Sequence, residues 1–181
     1  MPDQKGITIW FTGLSGSGKT TIALEVEKEL KGNGYKVEHL DGDEIRKYLC
    51  QDLGFSKADR DENIRRVSYL AKLLTQNGII TLCCFVSPYL KARQEARELI
   101  GDFIEVYVNT PLAVCEKRDV KGLYAKARKG EIPAFTGISD PYEPPVNPEV
   151  EVLTEKEPVE KSAGKIINYL VKQGYIENLQ T

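Results

Sequence analysis

The sequence contains few cysteines, no long apolar run and no excess of charge of one sign. Its 181 residues include four cysteines, none in a C-x-x-C spacing. This excludes a disulfide scaffold and a zinc ribbon, and it is typical of reduced thiols. No stretch approaches the roughly 20 consecutive apolar residues of a membrane span. Because 25 Lys and Arg face 27 Asp and Glu, a polycation for duplex nucleic acid is excluded too. We therefore expect no nucleic-acid and no membrane partner.

The first six residues, Met1 to Gly6, also lack an apolar signal region, and the chain runs directly into a strand-like segment. For this reason we expect a cytoplasmic protein. The length suits one domain with a core large enough to be stable without cross-links. We expect residues 1–181 to form that single domain.

Hydrophobic periodicity alternates along the chain between short buried runs and amphipathic segments. The buried runs predict strands over 7–12, 35–40, 79–86, 103–108 and 149–153. The amphipathic segments predict helices over 19–31, 43–49, 56–77, 110–117 and 158–172, and one more that begins at Ser87-Pro88. Strands that alternate with helices indicate a mostly parallel five-stranded sheet with helices on both faces, an α/β three-layer sandwich.

A glycine-rich loop joins the first predicted strand to the first predicted helix. It matches G-x-x-x-x-G-K-[ST] at every fixed position, and a turn that binds no ligand would need neither the lysine nor the glycines. The fold class is therefore of the P-loop NTPase type, with Lys19 reaching the β- and γ-phosphates and Thr20 as a Mg²⁺ ligand. The predicted ATP-binding residues of the loop are Gly13, Leu14, Ser15, Gly16, Ser17, Gly18, Lys19 and Thr20.

Two further strand ends carry side chains suited to a ligand, because ligands bind beyond the carboxyl ends of parallel strands. After the second strand, Asp43 is a good helix N-cap. Arg46 would lie in the first helical turn, where a cation is unfavourable because it opposes the helix dipole. An anionic ligand therefore explains Arg46 better than helix stability does. After the third strand, Ser87 is most simply an N-cap at another anion-binding helix start.

The long helix over 56–77 carries a polar pair on its apolar side. Its core stripe at i, i+3, i+4 spacing, extended towards the N-terminus, meets Arg60 and Asn63. The alternative is a solvated first helical turn. Either reading keeps the capping box of Ser56 and Asp59 at the helix start.

Residues 119–148 form a predicted irregular stretch rich in Gly, Pro, cations and aromatic side chains. It is too long for an ordinary connection. Cations that close over a phosphoryl group are a recurrent catalytic device, so we expect a mobile lid here. The alternative is a packed surface flap with a small core of its own.

These motifs occur together in one known family, which the chain resembles over about residues 6–170: the adenylyl-sulfate kinases (APS kinases). The segments that carry the resemblance are Gly13 to Thr21, Asp41-Gly42-Asp43-x-x-Arg46, Asp52 to Ser56, Asp59-Arg60-x-Glu62-Asn63 to Arg66, Phe85 to Tyr89, Lys121 to Tyr124 and Phe135 to Ile138. Two positions depart from the common pattern. Ala125 stands where many members have Lys, and Pro133 stands near another position that is often Lys.

The resemblance implies transfer of phosphate from MgATP to the ribose 3′-hydroxyl of adenylyl sulfate, giving 3′-phosphoadenylyl sulfate and ADP. It adds Arg118 to the ATP site, and it makes Lys19, Asp43 and Ser87 the candidate catalytic residues. Two arginines suit the phosphosulfate anion and two phenylalanines suit stacking on a purine. The implied adenylyl sulfate site is Asp43, Arg46, Phe55, Arg60, Asn63, Val86, Ser87, Lys121 and Phe135.

Ser87 aligns with a position that the family describes as a phosphoserine intermediate. In-line transfer to a positioned hydroxyl needs no enzyme nucleophile, so we expect Ser87 to contact substrate without forming a covalent bond. Asp43 is the expected acceptor or orienter of the 3′-hydroxyl proton. Family members are often dimeric, and the sequence leaves open a homodimer as well as fusion to, or association with, an ATP sulfurylase.

Two other function classes stay open at this point. One is a different small P-loop kinase that acts on a nucleoside monophosphate or a metabolite. The other is a regulatory module that binds nucleotide without turnover. A GTPase switch fits less well, since no NKxD-type guanine motif is present.

Overall fold

The computed structural model describes residues 4–179, which form a five-stranded sheet with the strand order β2-β3-β1-β4-β5. Residues 1–3 of the segment considered above for a signal region lie outside the described part of the chain. In chain order the elements are β1 (Ile7–Thr12), α1 (Lys19–Gly32), β2 (Val37–Asp41), α2 (Gly42–Tyr48), α3 (Lys57–Gln76), β3 (Ile80–Cys84), α4 (Leu90–Ile100), β4 (Phe103–Val108), α5 (Leu112–Arg118), α6 (Leu123–Arg128), β5 (Val150–Val152) and α7 (Val159–Lys172).

All four strand pairings are parallel. Helices α1 and α7 pack on each other over one face of the sheet, and α3 and α4 cover the other. The predicted three-layer α/β architecture is confirmed. β1 pairs with β3 on one side and with β4 on the other. The connection after β1 therefore runs towards one edge of the sheet, and the connection after β4 runs towards the other. Such a change in the order of strands opens a crevice at the carboxyl end of β1.

The start of α3 is the capping box that its sequence predicts. The Ser56 hydroxyl accepts a hydrogen bond from the Asp59 amide at 3.1 Å and donates to the Asp59 carboxylate at 2.7 Å. The hydroxyl satisfies the Asp59 amide, which the first helical turn leaves free, and the carboxylate holds that hydroxyl in place. This cap sets the direction in which α3 leaves the site.

The predicted cap of α2 was wrong. The N-cap is Asp41, whose carboxylate accepts from the Asp43 amide at 2.9 Å, because β2 continues one residue further than its apolar pattern predicted. Arg46 consequently lies in the last turn of a seven-residue helix. There a cation is favourable to the dipole, so the dipole argument for Arg46 was wrong as well.

The predicted start of α4 at Ser87-Pro88 was also wrong. The helix begins at Leu90, and Ser87 adopts a left-handed backbone conformation with φ +40°. The cap comes from a distant loop, since the Glu143 carboxylate accepts from the Leu90 amide at 2.7 Å. A local sequence signal cannot predict a cap that another part of the chain supplies.

The stretch over 119–148 is not irregular throughout, because it contains α6. The Asp119 carboxylate accepts from the amides of Tyr124 and Ala125, both at 3.0 Å, and so satisfies the first turn of this short helix. Among residues 4–179, no helix is both long and apolar enough to cross a membrane.

Candidate active site

The loop between β1 and α1 depends on glycine at its first fixed position. Gly13 has φ +154°, and a Cβ atom there would lie 2.6 Å from the Val108 carbonyl oxygen. Gly16 and Gly18 also have positive φ, at +72° and +106°. Glycine adopts such angles without strain. The loop can therefore curl over the end of β1 with its amides turned towards one centre.

Lys19 lies under this loop and is 9% exposed. Its ammonium donates to the carbonyls of Gly13 at 2.9 Å and Leu14 at 2.7 Å. Burial lowers the pKa of Lys19 to about 8. A cation held among carbonyl oxygens with so little solvation is suited to an incoming anion.

Thr20 brings a carboxylate into the site that the sequence analysis missed. Its hydroxyl donates to Asp41 Oδ2 at 3.1 Å. The sequence did contain an indication that Asp41 belongs to the site, since this carboxylate comes directly at the end of a predicted strand. The structure thus places Asp41 beside the loop and Asp43 further along α2.

Arg118, at the end of α5, lies against the outer wall of the loop. Its guanidinium donates to the carbonyls of Gly16 and Ser17, both at 3.3 Å, and to the Thr154 hydroxyl at 3.0 Å. The residue predicted for the ATP site therefore contacts the phosphate-binding loop directly. Thr154 is a second residue that the sequence analysis did not find.

Asp43 and Lys121 form an ion pair that joins α2 to the segment before α6. Both side chains are more than half exposed, so the pair contributes little to folding stability. The two residues were predicted to share one substrate site, and the structure brings them together. The contact spans 78 residues of sequence.

The arginines predicted to bind the acceptor surround Phe55, whose ring is 57% exposed. The guanidinium of Arg46 lies 4.5 Å from the ring centre, and that of Arg60 lies 5.8 Å away. Arg60 also donates to the carbonyls of Phe55 at 2.9 Å and Ala134 at 2.7 Å. Burial lowers the pKa of Arg46. The start of α3 is thereby linked to the residue that precedes Phe135.

Asn63 is 4% exposed, and its amide oxygen has no hydrogen-bond partner among the described residues. For this residue the solvated-helix alternative is wrong. A buried amide oxygen without a partner is costly, so a ligand is the simplest explanation for it. Asn63 is the strongest single indication of a ligand on α3.

Phe135 packs edge-on against Tyr124 of α6, with ring centres 5.0 Å apart. The Tyr124 hydroxyl donates to the Ser15 carbonyl at 2.8 Å. The segment that carries Phe135 is therefore connected to the phosphate-binding loop through α6. This contact places α6 against the phosphate-binding loop, and the closure of the segment stays a prediction.

Ser87 is 3% exposed and lies in a network of structural hydrogen bonds. Its hydroxyl accepts from Trp10 Nε1 and donates to the Thr12 hydroxyl, both at 3.1 Å. The Thr12 hydroxyl donates to the Val86 carbonyl at 2.8 Å. None of these partners is a base that could activate Ser87 as a nucleophile. Val86 and Ser87 thus lie at the carboxyl edge of the sheet, as predicted.

The glycine-rich loop on a parallel sheet, with a buried lysine under it and Arg118 and Tyr124 bonded to its carbonyls, defines the chain as a P-loop kinase. The family model described as adenylylsulphate kinase matches residues 5–153. The chain belongs to the adenylyl-sulfate kinase family.

Relatives of known identity align over almost the whole chain. The adenylyl-sulfate kinase of Halothermothrix orenii is 70% identical, over 97% of this chain and 95% of that protein. The Mycobacterium tuberculosis APS kinase CysC in complex with AMPPNP and APS is 47% identical, with a TM-score of 0.89 over 92% of this chain and 98% of that one. A hexameric APS kinase from Thiobacillus denitrificans is 31% identical, with a TM-score of 0.75 over 97% of this chain and 30% of that longer one.

Proposed function

We propose that this protein transfers the γ-phosphoryl group of ATP to the ribose 3′-hydroxyl of adenylyl sulfate, giving 3′-phosphoadenylyl sulfate and ADP. The observation that carries the proposal is the contact between Asp43 and Lys121 beside the loop that holds Lys19. A phosphate site and a polar acceptor site therefore share one edge of the sheet. Family membership supports this choice of acceptor.

On the donor side, the loop amides and Lys19 would hold the phosphates of ATP. Phosphoryl transfer proceeds with little covalent help from the enzyme, so positioning and charge stabilisation supply most of the rate. Lys19 would exchange its contacts with the Gly13 and Leu14 carbonyls for phosphate oxygens. Because it is already desolvated, its attraction to the charge on the γ-phosphate is weakly screened.

The oxygen atoms of Thr20 and Asp41 fit a Mg²⁺ ion that accompanies ATP. They lie 3.1 Å apart, and a hydroxyl together with a carboxylate is a donor set that Mg²⁺ accepts alongside phosphate oxygens and water. When bound, the ion neutralises charge on the β- and γ-phosphates. Asp41 would also keep the Thr20 side chain oriented towards it.

On the acceptor side, Asp43 would orient the 3′-hydroxyl and accept its proton. The exposed carboxylate is free to make this contact once Lys121 turns to the phosphosulfate. Arg46 and Arg60 would add positive charge for the same anion, and Asn63 offers its unpaired amide oxygen to a donor on the substrate. Phe55 and Phe135 would stack on the purine.

The proposal assigns Ser87 a positioning role and no covalent intermediate. Its hydroxyl is engaged with Trp10 and Thr12, and within residues 4–179 no carboxylate or imidazole is hydrogen-bonded to it. Direct in-line attack by the ribose hydroxyl needs no enzyme nucleophile. Ser87 would hold the β3–α4 turn against the acceptor.

The segment over 119–148 would act as a lid whose cationic part closes over both nucleotides. Closure would exclude water and so favour transfer to the ribose over hydrolysis of ATP.

We treat residues 1–181 as a single kinase domain. A homodimer, and fusion to or association with an ATP sulfurylase, stay predictions that light scattering of the purified chain and of its mixture with the sulfurylase would test.

The direct test is incubation of the protein with MgATP and adenylyl sulfate, with the products identified by mass. The expected result is one 3′-phosphoadenylyl sulfate and one ADP for each ATP consumed. Turnover with nucleoside monophosphates or small metabolites in place of adenylyl sulfate would favour a different P-loop kinase. Nucleotide binding without any turnover would favour a regulatory module. The variant Lys19→Met is the matched negative control.

A further inference from the structure

The carbonyl oxygen of Ser17, inside the phosphate-binding loop, lies within hydrogen-bond distance of donor groups on three side chains. The Thr154 hydroxyl lies 2.9 Å from this oxygen, the Thr110 hydroxyl 3.0 Å and Arg118 Nη1 3.3 Å. A carbonyl oxygen has two lone pairs, so this acceptor is fully used. We call Thr110, Arg118 and Thr154 the carbonyl clamp.

The clamp residues come from separate parts of the chain and also bond to one another. Thr110 follows β4, Arg118 ends α5 and Thr154 follows β5. The two threonine hydroxyls are 2.6 Å apart, and because each has one proton, one threonine donates to the other, which donates to the Ser17 carbonyl. Arg118 donates to both the hydroxyl and the carbonyl of Thr154, at 3.0 Å and 3.1 Å. Ser17 is fully buried and Thr110 is 5% exposed. Such an interlocked set holds the Ser17 carbonyl in one direction.

The direction of this carbonyl determines where the next amide points. The peptide bond is planar and trans, so the Gly18 N–H is directed opposite to the Ser17 C=O. Gly18 has φ +106°, and a Cβ there would lie 3.4 Å from the Thr154 methyl carbon, so Thr154 also packs against this peptide. With the carbonyl held on the clamp side, the Gly18 N–H faces the interior of the loop, where phosphates bind.

We infer that Thr110 and Thr154 are positioning residues for nucleotide: with Arg118 they hold the Ser17–Gly18 peptide so that the Gly18 amide donates to the β-phosphate. The guanidinium and hydroxyl donors on the carbonyl also polarise the peptide and make its N–H a stronger donor. The inference rests on the proposed function only in taking ATP as the nucleotide. It is independent of the acceptor.

The test compares nucleotides that have and lack a β-phosphate, by calorimetry of the whole protein with ADP and with AMP. Thr154→Val removes the hydroxyl at nearly constant shape. We expect it to weaken the binding of ADP about tenfold and the binding of AMP less than twofold. Thr154→Ser should restore ADP affinity to within about threefold of wild type. Thr110→Val is the second variant and should act in the same direction.

Thr75→Val is the matched control, because it breaks another buried threonine pair, Thr8 with Thr75 at 2.8 Å, away from the loop. It should lower the melting temperature and leave ADP affinity unchanged. A smaller downfield shift of the Gly18 amide proton on ADP binding in Thr154→Val would report the same peptide directly.

Three results would overturn the clamp: unchanged ADP affinity in both valine variants, equal losses for ADP and AMP, or an equal ADP loss in Thr75→Val. The proposed function is judged separately, by the product that the wild-type protein forms from adenylyl sulfate. A wild type that binds ADP through the clamp and does not phosphorylate adenylyl sulfate would contradict the proposed function alone.

Discussion

Lys19 shows at the scale of one residue how a binding site costs folding stability. Its ammonium is buried and contacts neutral carbonyl oxygens, and desolvation is the main cause of its lowered pKa. A charge without a counter-ion is unfavourable in the unliganded fold. The same desolvation strengthens its attraction to a phosphate that enters the loop.

Replacing Lys19 with Met should leave a folded protein with about a hundredfold or greater loss in kcat. Methionine keeps the apolar stem and removes the charge that stabilises the transferring phosphoryl group. Steady-state kinetics with MgATP and adenylyl sulfate measure the effect. Lys28→Met, on the exposed side of the same helix, is the control and should leave kcat unchanged. Turnover of Lys19→Met within a fewfold of wild type would contradict the phosphate assignment.

The lowered pKa of Lys19 also predicts how stability depends on pH. The folded protein releases the Lys19 proton near pH 8, whereas the unfolded chain keeps it up to about pH 10.5. Between these values the unfolded state binds more protons, so the free energy of unfolding of the wild type should rise with pH relative to Lys19→Met. The expected gain between pH 8 and pH 10 is roughly 2 kcal/mol.

Urea unfolding of both proteins at each pH measures this difference, and other titrating groups cancel because the two proteins share them. A difference between wild type and Lys19→Met that stays constant from pH 7 to pH 10 would mean that Lys19 keeps its ordinary pKa.

Ser87→Ala should keep kcat within about tenfold of wild type and unfold at a lower temperature. The hydroxyl is the acceptor for Trp10 Nε1, and loss of a buried partner costs about 1–3 kcal/mol. Kinetics, thermal unfolding and the intact mass of the protein after incubation with ATP measure these effects. Loss of nearly all activity, with a phosphate found on Ser87 of the wild type, would instead indicate a covalent intermediate.

At the scale of elements, the predicted lid over 119–148 has two parts, α6 and the stretch around Tyr142, that make different contacts with the rest of the protein. Helix α6 contacts the site through the hydroxyl of Tyr124 and through the exposed pair of Asp43 and Lys121 just before it. The later part is held more firmly, since Tyr142 bonds to Thr12 at 2.9 Å. The exposed pair of Lys121 and Asp43 just before α6 is a contact that can be exchanged for nucleotide at little cost.

Hydrogen exchange should therefore distinguish these two parts of the segment. Amides of α6 should exchange quickly in the free protein and more slowly with ADP and adenylyl sulfate together. The amides of Asp140 and Glu143 should be protected in both states, because they donate to the carbonyls of Phe135 at 3.1 Å and Pro88 at 2.8 Å. Strong protection of α6 without ligands would leave a packed flap as the better description.

At the scale of the whole molecule, one buried arginine connects the sheet to the end of that segment. Arg93 of α4 is 2% exposed and donates to the Glu105 carboxylate of β4 at 2.6 Å. It also donates to the Ser87 carbonyl and to the Glu143 carbonyl. One guanidinium thus holds groups that lie 6, 12 and 50 residues away from it in sequence.

Arg93→Met should lower the free energy of unfolding by about 3–5 kcal/mol, because it removes the hydrogen-bonded partner of the buried Glu105 carboxylate and leaves it only Arg97 at 3.9 Å. Urea denaturation measures the change. Lys91→Met, which breaks an exposed pair with Glu95 on the same helix, is the control and should change stability by less than about 0.5 kcal/mol. A loss below about 1 kcal/mol for Arg93→Met would mean that the network is not tightly coupled.

The periodicity of the chain determined most of the architecture by itself. β1 and β4 have the predicted bounds, and α1, α3, α7 and the parallel sheet follow the prediction closely. These elements are specified by local patterns: buried runs, amphipathic stripes and caps within three residues. The phosphate-binding loop belongs with them, because its glycines, lysine and threonine are contiguous.

Tertiary structure alone decided what depends on residues far apart in sequence. The cap of α4 comes from Glu143, the partner of Thr20 is Asp41, and the Ser17 carbonyl is held from beyond β4 and β5. The burial of Asn63 likewise depends on what packs over the start of α3. The physical reason is that a local pattern shows which face of an element is apolar, whereas a hydrogen bond between loops exists only once the sheet brings the strand ends to one edge.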